Sequence, residues 1–306
     1  MFMVGLNKDT SGRFFPTTPN ASCYYPSTVH EVALAGLVKA LEFGEPFALL
    51  IGQPGLGKTL LAQVLLQRLE NPKAVAFLPH ARFDNSLGLL QGILFDLGFT
   101  SSKQTAQELR MDLTEKLYES FAENGPALII QDEAHLLHPD LLEEYRLIGN
   151  LEMGAGRAAQ IVLLSQPDIL ETIKKSYFES FRQRITVCPA LEPLGKYEAA
   201  DYLIHHARLA HKIPGYFTES AIEKLVSFSC GIPRILNQVG ELSHQQVTQT
   251  GQNRLDLEHV QTAIELLKRP WLQVRENKEF DLLQNIDRVQ GPEVRLLNHG
   301  ELGMTA

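Results

Sequence analysis

The chain has 306 residues, 44% of them hydrophobic and 21% charged, with a formal net charge of -8. That length holds a nucleotide-sized core with a smaller companion, while the acidic balance argues against a surface broadly adapted to polyanions and leaves room only for a local basic stripe inside an oligomer. No apolar run approaches the roughly 20 residues of a membrane-spanning helix, and three widely spaced cysteines, Cys23, Cys188 and Cys230, suggest neither a disulfide framework nor a zinc site.

Residues 1–26 read as an irregular arm rich in Gly, Pro, Ser and Thr that carries Phe14, Phe15, Tyr24 and Tyr25. Its first residues lack the charged and apolar regions of a signal peptide, so a cytoplasmic location is expected. Ser27 is the N-cap of a first helix in which Val32, Leu34, Leu37, Val38 and Leu41 keep helical spacing. Strands are expected at Phe47 to Ile51, Ala74 to Leu78, Ala127 to Ile130, Ile161 to Leu164 and Ile185 to Cys188, alternating with helices. Alternation of this kind builds a parallel sheet covered on both faces, a three-layer αβα core with five strands over residues 27–190. From Leu191 the pattern turns helical, near Lys196 to His211, Glu219 to Ser229, Pro233 to Thr248 and Leu257 to Leu267, which reads as a small all-helical domain over residues 191–268. Residues 269–306 read as a polar tail, weakly ordered or carrying one more helix docked on a partner.

Between the first strand and its helix lies Gly52-Gln53-Pro54-Gly55-Leu56-Gly57-Lys58-Thr59-Leu60, which satisfies the phosphate-loop pattern at every required position. Gly55 and Gly57 let backbone N-H groups approach phosphates at a helix N-terminus. Lys58 is expected to reach the terminal phosphates and the Thr59 hydroxyl to ligate Mg2+. The third strand ends in Gln131-Asp132-Glu133, which supplies the other half of a nucleoside triphosphate site: Asp132 for the metal, Glu133 to activate the attacking water. Acids opening a helix are the alternative for that pair. Gln131, polar where an apolar residue is usual, needs hydrogen-bond partners if buried.

Asp132-Glu133-Ala134-His135 also spells a helicase motif, but such helicases need a second RecA-like domain for which the residues after Leu191 are too few and too helical. His135 is read as positioning the helix that follows. Ser165-Gln166-Pro167 ends the fourth strand, and either Ser165 or Gln166 can hydrogen-bond the attacking water or the terminal phosphate, a turn role being the alternative. Arg182 and Arg184 precede the last strand, where an arginine aimed at a neighbouring subunit's phosphate neutralises developing charge; a surface ion pair is the alternative. Arg234, in Gly231-Ile232-Pro233-Arg234, opens a helix that can fold onto the nucleotide as a lid. His205, His206 and His211 read as exposed or packed rather than as metal ligands.

These elements occur in the order of an AAA+ ATPase, and the chain resembles the ExeA-type general secretion pathway ATPases and the related ATPases that regulate transposition, over roughly Tyr24 to Leu267. Leu141-Leu142-Glu143-Glu144-Tyr145-Arg146-Leu147 and Gly231-Ile232-Pro233-Arg234-Ile235-Leu236-Asn237 are the most similar phrases. The resemblance implies ATP hydrolysis, Arg234 as sensor-2 arginine, Arg184 or Arg182 as the trans finger, Ser165 or Gln166 as sensor 1, and Tyr25, Val29 and His30 lining the base pocket. It further implies a homo-oligomer, ring or filament, acting as a nucleotide-dependent switch for a protein partner. The transposition relatives imply a DNA-binding alternative, with Lys174, Lys175 or Lys196 lining a channel.

Overall fold

The computed structural model describes residues 13–16, 18–69, 74–154 and 156–268; the tail expected at 269–306 lies outside the described residues. In chain order the elements are α1 (Thr28–Glu42), β1 (Phe47–Gly52), α2 (Lys58–Arg68), β2 (Val75–Leu78), α3 (Ser86–Asp96), α4 (Ala106–Asn124), β3 (Ala127–Gln131) and α5 (Pro139–Gly149). There follow β4 (Glu152–Met153), β5 (Gly156–Arg157), β6 (Ala159–Ser165), α6 (Ile169–Ile173), α7 (Glu179–Arg182), β7 (Ile185–Val187) and β8 (Ala190–Leu191). The last four are helices: α8 (Lys196–Leu209), α9 (Glu219–Ser229), α10 (Pro233–Thr250) and α11 (Leu257–Leu267).

The main sheet is parallel and runs in the order β2-β3-β6-β1-β7, with β8 also paired to β1. Side chains alternate between its faces, so β1 sends Phe47, Leu49 and Ile51 into one core with α3, α4 and α5, and Ala48 and Leu50 into another with α1 and α2. Burial on both faces is why these strands read as unbroken apolar runs.

Two details depart from the expected five strands. The edge strand is broken: β7 pairs with Phe47 and Ala48, β8 with Ile51 and Gly52, and Cys188-Pro189 intervenes. Pro189 has no N-H to offer the ladder, yet its carbonyl still accepts from Ile51 N at 2.9 Å, so the sheet edge continues through the break. Second, β4 and β5 form a short antiparallel hairpin before β6.

A separate apolar cluster joins α8 to α11. Part of the N-terminal arm belongs to it: Phe14 and Phe15 are buried there, and both their backbone N-H groups donate to Glu241 Oε2 on α10 at 3.0 Å, whereas Ala21 and Tyr24 pack against the core of α1 and α2. Thr28 N, at the start of α1, donates to Glu198 Oε1 on α8 at 2.7 Å. The helical region is thus tied to the sheet region at the first turn of α1, where free N-H groups favour a carboxylate. Among the described residues no helix is long and apolar enough to cross a membrane.

Candidate functional site

The sheet order sets the site. β6 lies between β1 and β3, with Ile51 level with Ser165 and Leu163 level with Gln131. The loop after β1, Asp132-Glu133 after β3 and Gln166 after β6 therefore emerge side by side at the carboxyl ends of adjacent strands, where ligands of open α/β sheets bind.

The loop Gly52 to Thr59 turns sharply before α2. Gly57 caps that helix with φ 94°, a left-handed conformation that costs an ordinary residue about 1–2 kcal/mol. Gly55 allows a close approach: a Cβ there would stand 2.9 Å from Arg234 Cβ. The approach is sealed by Arg234 N donating to Gly55 O at 3.2 Å, so the start of α10 lies directly on the loop. Pro54 forms part of the turn, Leu56 is buried in the core beneath it, and Leu60 packs partly against the same core.

Lys58 is buried and donates to Gly52 O at 2.7 Å and Gln53 O at 3.3 Å, so the loop's own carbonyls curl around the ammonium. Burial lowers its pKa, opposed by the nearby Glu133 and Asp132 carboxylates. The Thr59 hydroxyl donates to Asp132 Oδ2 at 2.6 Å across the gap between α2 and β3. A hydroxyl and a carboxylate so juxtaposed are the hard oxygen donors that suit Mg2+, alongside water and phosphate oxygens.

His30 stands under the loop. Its Nε2 lies 2.7 Å from the Leu56 carbonyl, which can only accept, so Nε2 carries the proton and Nδ1 accepts from Ser27 Oγ at 2.6 Å. Both ring nitrogens are committed, and burial lowers the imidazole pKa, keeping the neutral form. His30 braces the loop from below. Tyr25 is half-buried and packs edge-on against Tyr202 and His205 of α8, while Val29 sits partly buried in the first turn of α1.

Gln131 is fully buried and well served: its amide nitrogen donates to His80 O at 2.9 Å and Asp132 O at 2.6 Å, and its oxygen accepts from Tyr145 Oη at 2.5 Å. Glu133 departs from ordinary backbone geometry, with φ 54° in the left-handed region, and its side chain is 42% exposed. A non-glycine residue held there marks a position that the surroundings over-determine. Burial also lowers the His135 pKa, against the pull of the Glu133 carboxylate.

The two candidates at the end of β6 differ in burial and in partners. Ser165 is fully buried and its hydroxyl hydrogen is donated to the Gln166 carbonyl at 2.9 Å. Gln166 is partly exposed, and its amide lies 2.8 Å from His135 Nε2.

Arg182 and Arg184 are not brought to this site within one chain. Ile185 is level with Phe47, whereas the phosphate loop begins at Gly52, about 17 Å along the sheet at 3.3 Å per residue. Arg182 is exposed and Arg184 partly so; each donates only to a backbone carbonyl, and neither forms an ion pair among the described residues. Arg234 is exposed at the start of α10. Lys174 pairs with Glu171 at 2.7 Å in a solvated contact. His206 is packed inside the helical cluster. Glu198 and Tyr145 carry no local sequence signal; their partners Thr28 and Gln131 come from other elements, 170 and 14 residues away.

The family described as "AAA domain" matches residues 41–173, spanning the loop, Asp132-Glu133 and Gln166. Over these residues the chain carries an AAA domain. The chain is 31% identical over 226 residues to general secretion pathway protein A of Aeromonas hydrophila, a match that covers 74% of the chain. The match spans 41% of that relative's length. In fold, the chain is similar to the Aeropyrum pernix ORC1 protein solved in complex with DNA, with a TM-score of 0.64 and 18% identity over 81% of this chain and 67% of that one. It is also similar to Cdc6p from Pyrobaculum aerophilum, with a TM-score of 0.63 and 18% identity over 80% and 70%. A point mutant of Thermotoga maritima RuvB gives a TM-score of 0.57 and 18% identity over 92% and 82%.

Proposed function

We propose that this ATPase binds ATP with Mg2+ between the loop Gly52 to Thr59 and Asp132, hydrolyses it, and works as an oligomerising switch for a protein partner of the secretion or assembly type. The observation that carries the reading is the convergence of a buried Lys58 and a Thr59–Asp132 hydrogen bond of 2.6 Å under the start of the α10 helix. Lys58 exchanges its loop carbonyls for phosphate oxygens, a move that leaves its charge better compensated. Thr59 Oγ1 and Asp132 hold the cation, which when bound neutralises and orients the triphosphate. Glu133, the exposed carboxylate of the group, orients water and takes up its proton. Gln166 presents amide donors to the same crevice, and Arg234 approaches it from α10.

Because Arg182 and Arg184 lie about 17 Å along the sheet from their own loop, they serve a neighbouring subunit in this reading. Contact between Arg234 N and Gly55 O then supplies the coupling: what happens at the loop is felt at once by α10 and the helices packed on it. A coupled site of this kind shifts assembly by ~1–3 kcal/mol. The net charge of -8 weighs against the DNA-binding alternative. ATP turnover and sedimentation of Lys58→Ala and Glu133→Gln test the proposal. Lys58→Ala is expected to lose nucleotide binding, and Glu133→Gln to bind and assemble with turnover lower by about 100-fold or more. Parental hydrolysis by both variants overturns the reading.

A further inference from the structure

Next to Glu133 the structure contains a side-chain connection that the nucleotide-site reading does not use. His135 Nε2 lies 3.4 Å from Glu133 Oε2 and 2.8 Å from the Gln166 amide, and His135 Nδ1 lies 3.4 Å from Gln166 N. The imidazole is 7% exposed, so these contacts are made largely out of water. It bridges the ends of β3 and β6, the two strands whose carboxyl ends flank the crevice.

We propose that His135 is a positioning residue that ties the Glu133 carboxylate to the Gln166 amide, and that the tie fixes Gln166 with its NH2 group left free as an anion donor. The inference rests on the roles given above to Glu133 and Gln166. Proton accounting carries it. A backbone N-H can only donate, so Nδ1 facing Gln166 N is the acceptor, and the neutral ring carries its hydrogen on Nε2. An Nε2-H cannot accept from an amide NH2. The atom of Gln166 facing the ring is therefore the amide oxygen, since oxygen and nitrogen of a Gln side chain are assigned from the network around them. Nε2-H is then shared between that oxygen and the Glu133 carboxylate, and the amide NH2 is left without a partner in the network. Glu133 also sits at φ 54°, so a side-chain tether offsets part of the cost of holding that backbone. Ser165 cannot replace Gln166 in this arrangement, because its hydroxyl is already spent on the Gln166 carbonyl.

The first test is spectroscopic and needs no nucleotide. The full chain is labelled with 15N-histidine and the His135 signal is assigned by its loss in His135→Gln. The Nε2-H tautomer is expected, with a signal that moves in Gln166→Leu. An Nδ1-H tautomer, or a signal indifferent to Gln166→Leu, overturns the tie. The second test is a kinetic double-mutant cycle. His135→Ala and Gln166→Ala should each lower kcat for ATP by about 10- to 100-fold with KM within about twofold, and the double variant should be no slower than the slower single one. Additive losses overturn the proposal. Should His135→Ala not fold, His135→Asn, which keeps one donor, takes its place and is expected to retain an intermediate kcat; parental kcat overturns the proposal. Lys58→Ala and Glu133→Gln run alongside separate the two levels. If they hydrolyse ATP like the parent, the nucleotide-site reading itself falls; if they are inactive while the His135 variant turns over normally, only the tie falls.

Discussion

Tyr145→Phe removes one hydroxyl and nothing else. Tyr145 and Gln131 are both fully buried, and Tyr145 Oη is the donor to Gln131 Oε1. Burial raises the Tyr145 pKa well above the usual phenol value, so the group is a neutral donor at any working pH. Deleting it leaves an amide oxygen dry and unpaired, a cost of about 1–3 kcal/mol for a neutral buried acceptor. Melting of a chain this size shifts by about 2–4 °C per kcal/mol, so a drop of about 2–12 °C is expected. Gln131→Leu strands the Tyr145 hydroxyl and frees the carbonyls of His80 and Asp132, so its cost is similar. The double variant replaces both partners by apolar groups and should cost less than the sum of the singles by about 1 kcal/mol. Thermal and urea denaturation of the four proteins measures all of this. If Tyr145→Phe lies within about 0.5 kcal/mol of the parent, or the two changes simply add, the buried amide is not held as described.

Three further outcomes follow from the geometry. Gly240→Ala should gain up to about 1 kcal/mol in helix propensity. Its Cβ, however, would stand 2.3 Å from Phe15 Cε2, and expelling that buried ring forfeits about 1.5–3 kcal/mol. A net loss of about 0.5–2 kcal/mol in urea unfolding is expected, and a stabilised variant refutes the docking of the arm. His206 is 2% exposed with Nε2 unpartnered, and burial, then His205, push its pKa down to about 3. The unfolded chain takes up a proton below pH ~6.5 that the folded chain refuses, so stability present above that pH is lost as pH falls toward 3. Between pH 7 and 5 this is worth up to about 2 kcal/mol, at 1.36 kcal/mol per pKa unit, and His206→Leu should remove that increment; equal pH dependence in both proteins contradicts it. Finally, mixing Arg182→Ala/Arg184→Ala subunits with Glu133→Gln subunits should restore part of the ATP turnover that either lacks alone. Mixtures no more active than the separate proteins count against action between subunits.

Much of the proposed nucleotide crevice could be read in one dimension because its parts are short and contiguous. The phosphate loop needs its residues at fixed spacing, and Asp132-Glu133 follows an apolar strand directly. Helix limits were readable for the same reason: Ser27, Thr218 and Asp256 cap helices through hydrogen bonds within three residues of themselves. The parallel sheet covered on both faces followed from alternating strands and helices, and the resemblance to AAA+ ATPases from the order of the motifs. Other features depend on residues far apart in sequence, and no local pattern specifies those. The contact between Gln166 and His135 spans 31 residues and exists only because the sheet sets β6 beside β3. Phe14 and Phe15 read as part of an irregular arm until they were found in the core of α8 to α11, more than 180 residues on. The exit of the edge strand past Pro189 was hidden because strand pairing tolerates a proline wherever the missing N-H faces no partner. Sequence by itself therefore determined which chemical groups this chain possesses and the secondary elements that carry them. Tertiary structure alone decided which of those groups face one another, because strand order and packing are set by apolar surfaces that become neighbours only when the chain folds.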